Sequence, residues 1–197
     1  MTETNNLFKR QIQNRNFLSP LGYKFVLNRA PKVAFFANSA NIPGIELGTT
    51  EQPNYLRKIP VPGDIMQFDD LTLRFMIDEN LENYMEIQNW MRGLGFPESL
   101  REIYNLQNQE DIAKFYPDSF KSEMNIYSDG TLFVLTNTEV NNFKVRFKGL
   151  FPYSLTTIQF DSTPEDIQYV SAEVKFKYMM YNIVDRHDKP LHPLNVL

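Results

Sequence analysis

Apolar and polar positions alternate along most of this chain. In GYKFVLNR (22–29), Tyr23, Phe25 and Leu27 fall on one side and Lys24, Val26 and Asn28 on the other, the period of a half-buried strand. Arg29-Ala30-Pro31 turns the chain, and VAFFAN (33–38) reads as a second strand, so the two predict a hairpin. Asn41-Ile42-Pro43-Gly44 predicts a turn in which Pro fixes φ and Gly supplies a positive φ. Residues 45–57, polar and holding Gly48 and Pro53, read as an extended loop or an irregular hairpin. Leu71, Leu73, Phe75 and Ile77 then occupy one face of a strand that Asp78-Glu79-Asn80 closes. Asn80 is placed to cap a helix over 81–93, where Leu81, Tyr84, Ile87, Met91 and Leu94 form an apolar stripe. Glu79 and Glu82 suit its positive end and Arg92 its negative end, while Gly93 and Gly95 stop it.

Residues 96–123 read as an insertion on the rim of a sheet. Pro97 is a candidate first helical residue, and Leu100, Ile103 and Tyr104 are candidates for packing. MNIY and TLFVLT flank Ser128-Asp129-Gly130, a hairpin signal. In 142–150, Phe143, Val145 and Phe147 alternate with Lys144, Arg146 and Lys148; a bend over 149–153 and a strand over 155–160 follow. The last strand, 167–183, sets Val170, Ala172, Val174, Phe176 and Tyr178 on one face. Seven or eight strands around one main helix predict a mainly β (α+β) fold. Its expected form is an antiparallel β-barrel or sandwich with a flanking helix and a partly helical insertion. The expected organisation is an N-terminal arm (1–21), one β domain (22–184) and an irregular tail (185–197). Leu7, Phe8 and Ile12 sit about a helical turn apart in the arm, which is either a frayed terminus or a segment that docks on a neighbour.

Composition narrows the chemistry. The chain has 197 residues, enough for one domain with a real core, and sixteen Phe with ten Tyr, which favour strands and interfaces. A net charge of −4 is not the footprint of a dedicated nucleic-acid binder. Without cysteine there is no disulfide, no thiolate catalysis and no Cys-based metal site. The polar N-terminus lacks the apolar core of a secretory leader, and no eighteen-residue apolar run predicts a membrane span. His187 and His192, the two histidines, lie in the Pro-containing tail near Asp185 and Asp188, an unpromising frame for a metal. Asp69-Asp70 and Asp78-Glu79 are adjacent residues whose side chains diverge, so turn and capping roles are expected of them over acid–base catalysis. Phosphate-binding Gly loops and nucleophile elbows are absent. Nothing implies a cofactor or an enzymatic role. Lys144, Arg146, Lys148, Lys175 and Lys177 read as a solvated or salt-bridged sheet face, or as contacts to an acidic partner surface or to nucleic acid. Trp90 is expected in the core or at an interface.

The ordered series IPVPGD, FDDLTLRFMIDE, the Trp-bearing helix, KVRFKGLFP and PEDIQYVSAEVKFKYMMY, spread from Tyr23 to Tyr181, resembles the tail tube protein family of contractile-tailed, T-even-like bacteriophages. The resemblance implies a β-barrel-like sheet with a flanking helix, assembled as six-fold homomeric rings stacked into a hollow tube. DNA passes through the lumen, and the tube sits inside a contractile sheath above a baseplate. It places the protein in the virion tail, assembled in the host bacterial cytoplasm, with no membrane partner. It makes Ile42-Pro43-Gly44 the turn before a long inter-ring loop, Pro62-Gly63-Asp64 with Phe68-Asp69-Asp70 the entry to a central strand, and Gly149 through Pro152 a bend between late strands. With Trp90, these are the candidate interface and structural positions.

The 96–123 insertion and the basic strand faces leave a second reading open: a tube initiator, baseplate-adjacent ring or tail completion ring of the same fold. A component of a related contractile injection system, and a ligand-binding barrel or hydrolase of unrelated origin, are the remaining alternatives. Because a DNA conduit must not grip its cargo, Lys144, Arg146 and Lys148 are not expected to line an open lumen together.

Overall fold

The computed structural model describes residues 17–107, 126–136, 141–160 and 169–191. The arm to residue 16, most of the 96–123 insertion and His192 lie outside the described residues.

Strand β1 (Tyr23–Leu27) buries Phe25 and Leu27, as its alternation requires. The next segment is not a strand. Pro31–Phe35 is a short helix, α1, with Pro at its start and Val33 buried. Pro31 presets φ and has no amide to satisfy. Pro31 at its start and the burial of Val33 override the strand preference of Val-Ala-Phe-Phe, so the expected 22–38 hairpin does not form. β2 (Ala37–Ala40) pairs instead with β5 (Leu71–Met76).

Helix α2 (Glu82–Gly95) follows β5, but Asn80 does not cap it. Asp78 accepts from the Glu82 and Asn83 amides at 3.2 and 3.1 Å. The buried Asn83 side chain reciprocates, donating to the Met76 carbonyl at 2.7 Å and accepting from the Asp78 amide. Leu81, at φ 59°, makes the tight entry that moves the cap back to Asp78. Gly93 is internal and buried because a Cβ there would meet the Leu106 side chain at 2.8 Å. The helix continues through Gly93 and ends at Gly95, with Phe96 as its left-handed C-cap. Helix α3 (Arg101–Gln107) starts past Pro97; Leu106 is buried, whereas Leu100 and Tyr104 stay exposed.

β6 (Ser128–Leu135) runs straight through Ser-Asp-Gly, so the expected turn is absent. Gly130 is needed for packing, since a Cβ would meet Leu150 at 2.6 Å. β7 (Asn141–Leu155) is one long strand, and residues 156–160 add no further strand. Its first half pairs with β6 and β9 (Met180–Asp185), its second with β8 (Ser171–Lys177). The expected bend therefore exists inside a continuous strand, at Gly149 with φ +65°. The expected last strand is β8 plus β9, broken at Tyr178-Met179.

The resulting seven-stranded sheet runs β1-β6-β7-β8-β5-β2, with β9 also on β7, and every pairing is antiparallel. It folds about β7 into two layers, a device that strands at sheet corners share. Phe147 and Val145 of one layer, Phe75, Val174 and Phe176 of the other, and Ile87 and Trp90 of α2 fill one core between them. The mainly β, antiparallel class expected from the alternation is the class observed.

The cap assignment is checked by equilibrium denaturation. Asp78→Ala is expected to cost about 0.5–2 kcal/mol, while Asn80→Ala stays within about 0.5 kcal/mol of the parent.

Candidate assembly site

Strands β3 (Ile45–Gln52) and β4 (Ile59–Phe68) pair only with each other, and no ladder joins them to the larger sheet. Of the two readings of residues 45–57, the irregular hairpin is the one observed, and it is long. All of β3 and all of β4 except Gly63 and Phe68 are exposed. Its apolar residues are nonetheless large. Ile45 and Leu47 are each 51% exposed, Met66 53% and Ile65 70%, and at the tip Tyr55 reaches 98% and Leu56 89%. In register, Ile45 stands opposite Phe68 and Leu47 opposite Met66. A bulge between Leu47 and Thr49 bends the hairpin midway. Gly63 sits at that bulge because a Cβ there would strike the Gly48 carbonyl at 2.7 Å. Pro62-Gly63-Asp64 therefore lies within the projecting strand, away from the central β5 that the resemblance suggested.

The base of the hairpin gathers the other candidates. The Asp69 amide donates to the Gly44 carbonyl at 3.1 Å, closing the two legs. Gly44 does not adopt the positive φ expected of it; a Cβ there would crowd the Asp69 carboxylate at 2.6 Å. Asn41 donates through Nδ2 to the Asp70 carbonyl at 3.1 Å and accepts at Oδ1 from the Thr72 amide at 2.6 Å. Pro43 is buried and Ile42 is 41% exposed. Asp70 does more than turn the chain. Its carboxylate pairs with Lys177 at 2.5 Å and accepts from the Tyr153 hydroxyl, with the Lys177 ammonium 5.4 Å from the Tyr153 ring. Lys177 first, and then Tyr153, hold the Asp70 carboxyl below its usual range. Asp70 in turn raises the Lys177 ammonium and the Tyr153 phenol.

Gly149 and Pro152 flank the same corner through β7, Pro152 buried and in register with Phe176. Trp90 lies in the core, 1% exposed, its ring 6.1 Å from that of Phe176, with Nε1 donating to the Ile126 carbonyl at 2.9 Å and the Arg29 guanidinium 5.3 Å from its ring. Burial lowers Arg29 to about 10.

The basic face of β7 folds onto its own chain. Asp188 accepts from Lys144 at 2.7 Å and from Arg146 at 2.9 Å. Asp185 accepts from the His187 and Lys189 amides, making residues 185–191 an ordered turn and not the irregular tail expected. Among the described residues, no group of three His, Cys, Asp or Glu could hold a metal ion. A recess of about 230 Å³ between β1 and Pro31, Ala34 and Phe35 of α1 has Lys24 as its one charged lining group, so it offers no convergent polar set for a small ligand.

Sequence reading missed Tyr178, Tyr181, Asn41 and Asp188 as structural partners. A signal existed for the first two: Tyr178-Met179-Met180-Tyr181 interrupts the alternation that precedes it. Asp188 pairs at 44 and 42 positions' remove, which no local pattern encodes.

Because the folded-state pKa of Asp70 is depressed, its contribution to stability is present above the unfolded carboxylate value and is lost as pH falls through the folded one. Melting temperatures of the parent and Asp70→Asn should therefore differ at neutral pH and converge below about pH 4.

The comparisons agree with this architecture. A family model described as phage tail tube protein matches residues 4–184. The tail tube terminator protein of Enterobacteria phage T4 is 29% identical over 91 residues, 45% of this chain, and the chain spans about half (52%) of that relative's length. Among solved structures, the cryo-EM structure of the anti-feeding prophage cap (the AFP tube terminating cap) aligns with TM-score 0.54 at 13% identity, covering 91% of this chain and 99% of that one. A chain of an extracellular contractile injection system, the PVC sheath–tube complex in its extended state, aligns with TM-score 0.53 at 14% identity over 94% and 99%. With a match over nearly its whole length, and a folded antiparallel sheet shared with tube and terminator structures, this chain belongs to the phage tail tube protein family, whose members are structural proteins of the tail.

Proposed function

We propose that this chain forms a homomeric ring, six copies by family resemblance, that sits at an end of a phage tail tube as its terminating ring. One observation carries the ring: the β3–β4 hairpin leaves both faces uncovered by its own chain while exposing Ile45, Leu47, Ile65 and Met66 along its length and Tyr55 and Leu56 at its tip. An apolar projection of this kind calls for a partner, and a head-to-tail contact between identical copies closes into a ring when its rotation permits. The terminal position is favoured over the repeating tube subunit by the sequence match to a relative that terminates a tail tube. In this reading the neighbours are the tube, the sheath and, for a ring at the other end, the baseplate; DNA passes through the lumen; and the role is structural, without catalysis.

Three experiments test this. Native mass spectrometry of the purified chain should find a ring, and a monomer persisting at high concentration would count against it. Replacing residues 49–62 by a short Gly-Ser turn should leave a folded, non-assembling monomer, because no residue of that stretch belongs to the core. Antibody labelling of purified tails should mark one end; labelling along the whole length would move the assignment to the repeating subunit.

A further inference from the structure

Two strands joined to a body only through their roots could swing as a unit. We propose that Tyr178 and Tyr181 are positioning residues that latch the roots of the hairpin and fix the direction in which it projects. Tyr178 donates its hydroxyl to the Asp69 carbonyl at 2.8 Å, on the leg leaving the hairpin. Tyr181 donates to the Pro43 carbonyl at 3.2 Å, on the leg entering it. Each leg is held by one hydroxyl, and both hydroxyls come from one short segment of the main sheet.

The rings do the same work from the side. Phe68, the last residue of β4, packs edge-on against Tyr178 at 6.2 Å and Tyr181 at 5.8 Å. Phe147, fully in the core, meets the same two rings at 5.4 and 5.7 Å. The two tyrosines thus bridge a core aromatic to a hairpin aromatic. Residues three apart point to opposite sides of a regular strand. Here they serve one cluster because the strand breaks between β8 and β9.

That break is matched across the ladder. The Met179 amide donates to the Lys148 carbonyl at 3.0 Å, and Met179 packs over Gly149, where a Cβ would meet its Cγ at 2.7 Å. Gly149, at φ +65°, is where β7 passes from one layer to the other. The corner of the sheet and the latch are therefore one construction, and the hairpin's direction is tied to the angle between the layers. For assembly the consequence is preorganisation: an apolar arm already held in place loses less freedom on meeting a neighbour. That consequence rests on the ring reading above; the latch itself does not.

The test uses the full-length chain, whose lack of cysteine allows clean labelling. Spin labels are attached to Tyr55→Cys at the tip and Asn28→Cys on the body, and labelled protein is diluted into unlabelled protein so that distances are intramolecular. The parent should give one narrow distance distribution. Tyr178→Phe with Tyr181→Phe, which keeps both rings, should broaden it, and the Asp69 and Thr72 amides should exchange roughly 5–30-fold faster. The same variant should need about 5–30-fold more protein to assemble. Val174→Ala, a general core weakening, should lower the melting temperature without broadening the distribution. An unchanged distribution in the double variant overturns the latch. A broadened distribution with unchanged assembly overturns its role in positioning for a neighbour. If the parent never assembles, the ring reading fails, while the distance measurement still decides the latch.

Discussion

Two paired strands satisfy each other's inner backbone groups but have no interior in which to bury side chains, so any apolar residue they carry must find its cover elsewhere. The β3–β4 hairpin meets this constraint in an extreme form. It projects from a body whose own core is closed between two sheet layers and α2, and it contributes nothing to that core. In the proposed ring, stability and assembly are thereby separated in the sequence: Phe75, Val174, Phe176 and Trp90 hold the body, while the exposed Leu47, Tyr55, Ile65 and Met66 face a neighbour. A large exposed apolar projection is a liability in a monomer and an asset in a ring.

What joins the two halves is the corner. A sheet that folds about one strand needs a residue there that tolerates unusual backbone, and Gly149 supplies it. The partner strand answers with its own break, which turns two tyrosines towards the hairpin. Asn41, Asp70, Lys177 and Tyr153 add a polar layer on the same side. Partly exposed pairs of this sort contribute little stability singly. Their effect lies in geometry: several weak contacts from β5, β7 and β8 converge on a root only a few residues wide, and together they leave it few alternative directions.

The class of the fold was legible wherever a strand had one buried face. Phe25 and Leu27, the Leu71–Phe75 series and Val145 with Phe147 all point inward as their alternation predicts. Reading failed where a distant contact decided a local question. VAFFAN has strand propensity, yet Pro31 starts a helix there and Val33 turns into the core. Ser-Asp-Gly has turn chemistry, yet its Gly answers to Leu150 and Phe25 across the core. Asn80 has the chemistry of a cap, yet Asp78 takes the role because the buried Asn83 reciprocates. The candidate site was half legible for the same reason. Ile42 to Gly44 and Phe68 to Asp70 were marked by turn residues and do meet at the hairpin root. Pro62 and Gly63 were marked too, but the bulge that explains them exists only once β3 and β4 have paired. An exposed hairpin also shows neither the clean two-sided alternation of a strand with one buried face nor the apolar run of a buried one, which is why residues 45–57 read equally as a loop or an irregular hairpin.

The basic face shows how a local residue settles what composition leaves open. Lys144 and Arg146, two residues apart on one face of β7, would repel each other and attract any phosphate within reach. Asp188 lies between them, at φ 66°, a backbone region that Asp tolerates better than most residues. Lys144 and Arg146 hold the Asp188 carboxyl below its usual range, Lys144 chiefly, so it is charged at neutral pH. The pair therefore presents one net positive charge, not two, and Lys148 stands exposed beyond it. In a ring every surviving charge is repeated once per copy, and affinity for DNA rises with each phosphate neutralised. If copies close into the proposed ring, the intramolecular carboxylate removes one charge per subunit from any contact with DNA, without altering the strand that carries Val145 and Phe147 into the core.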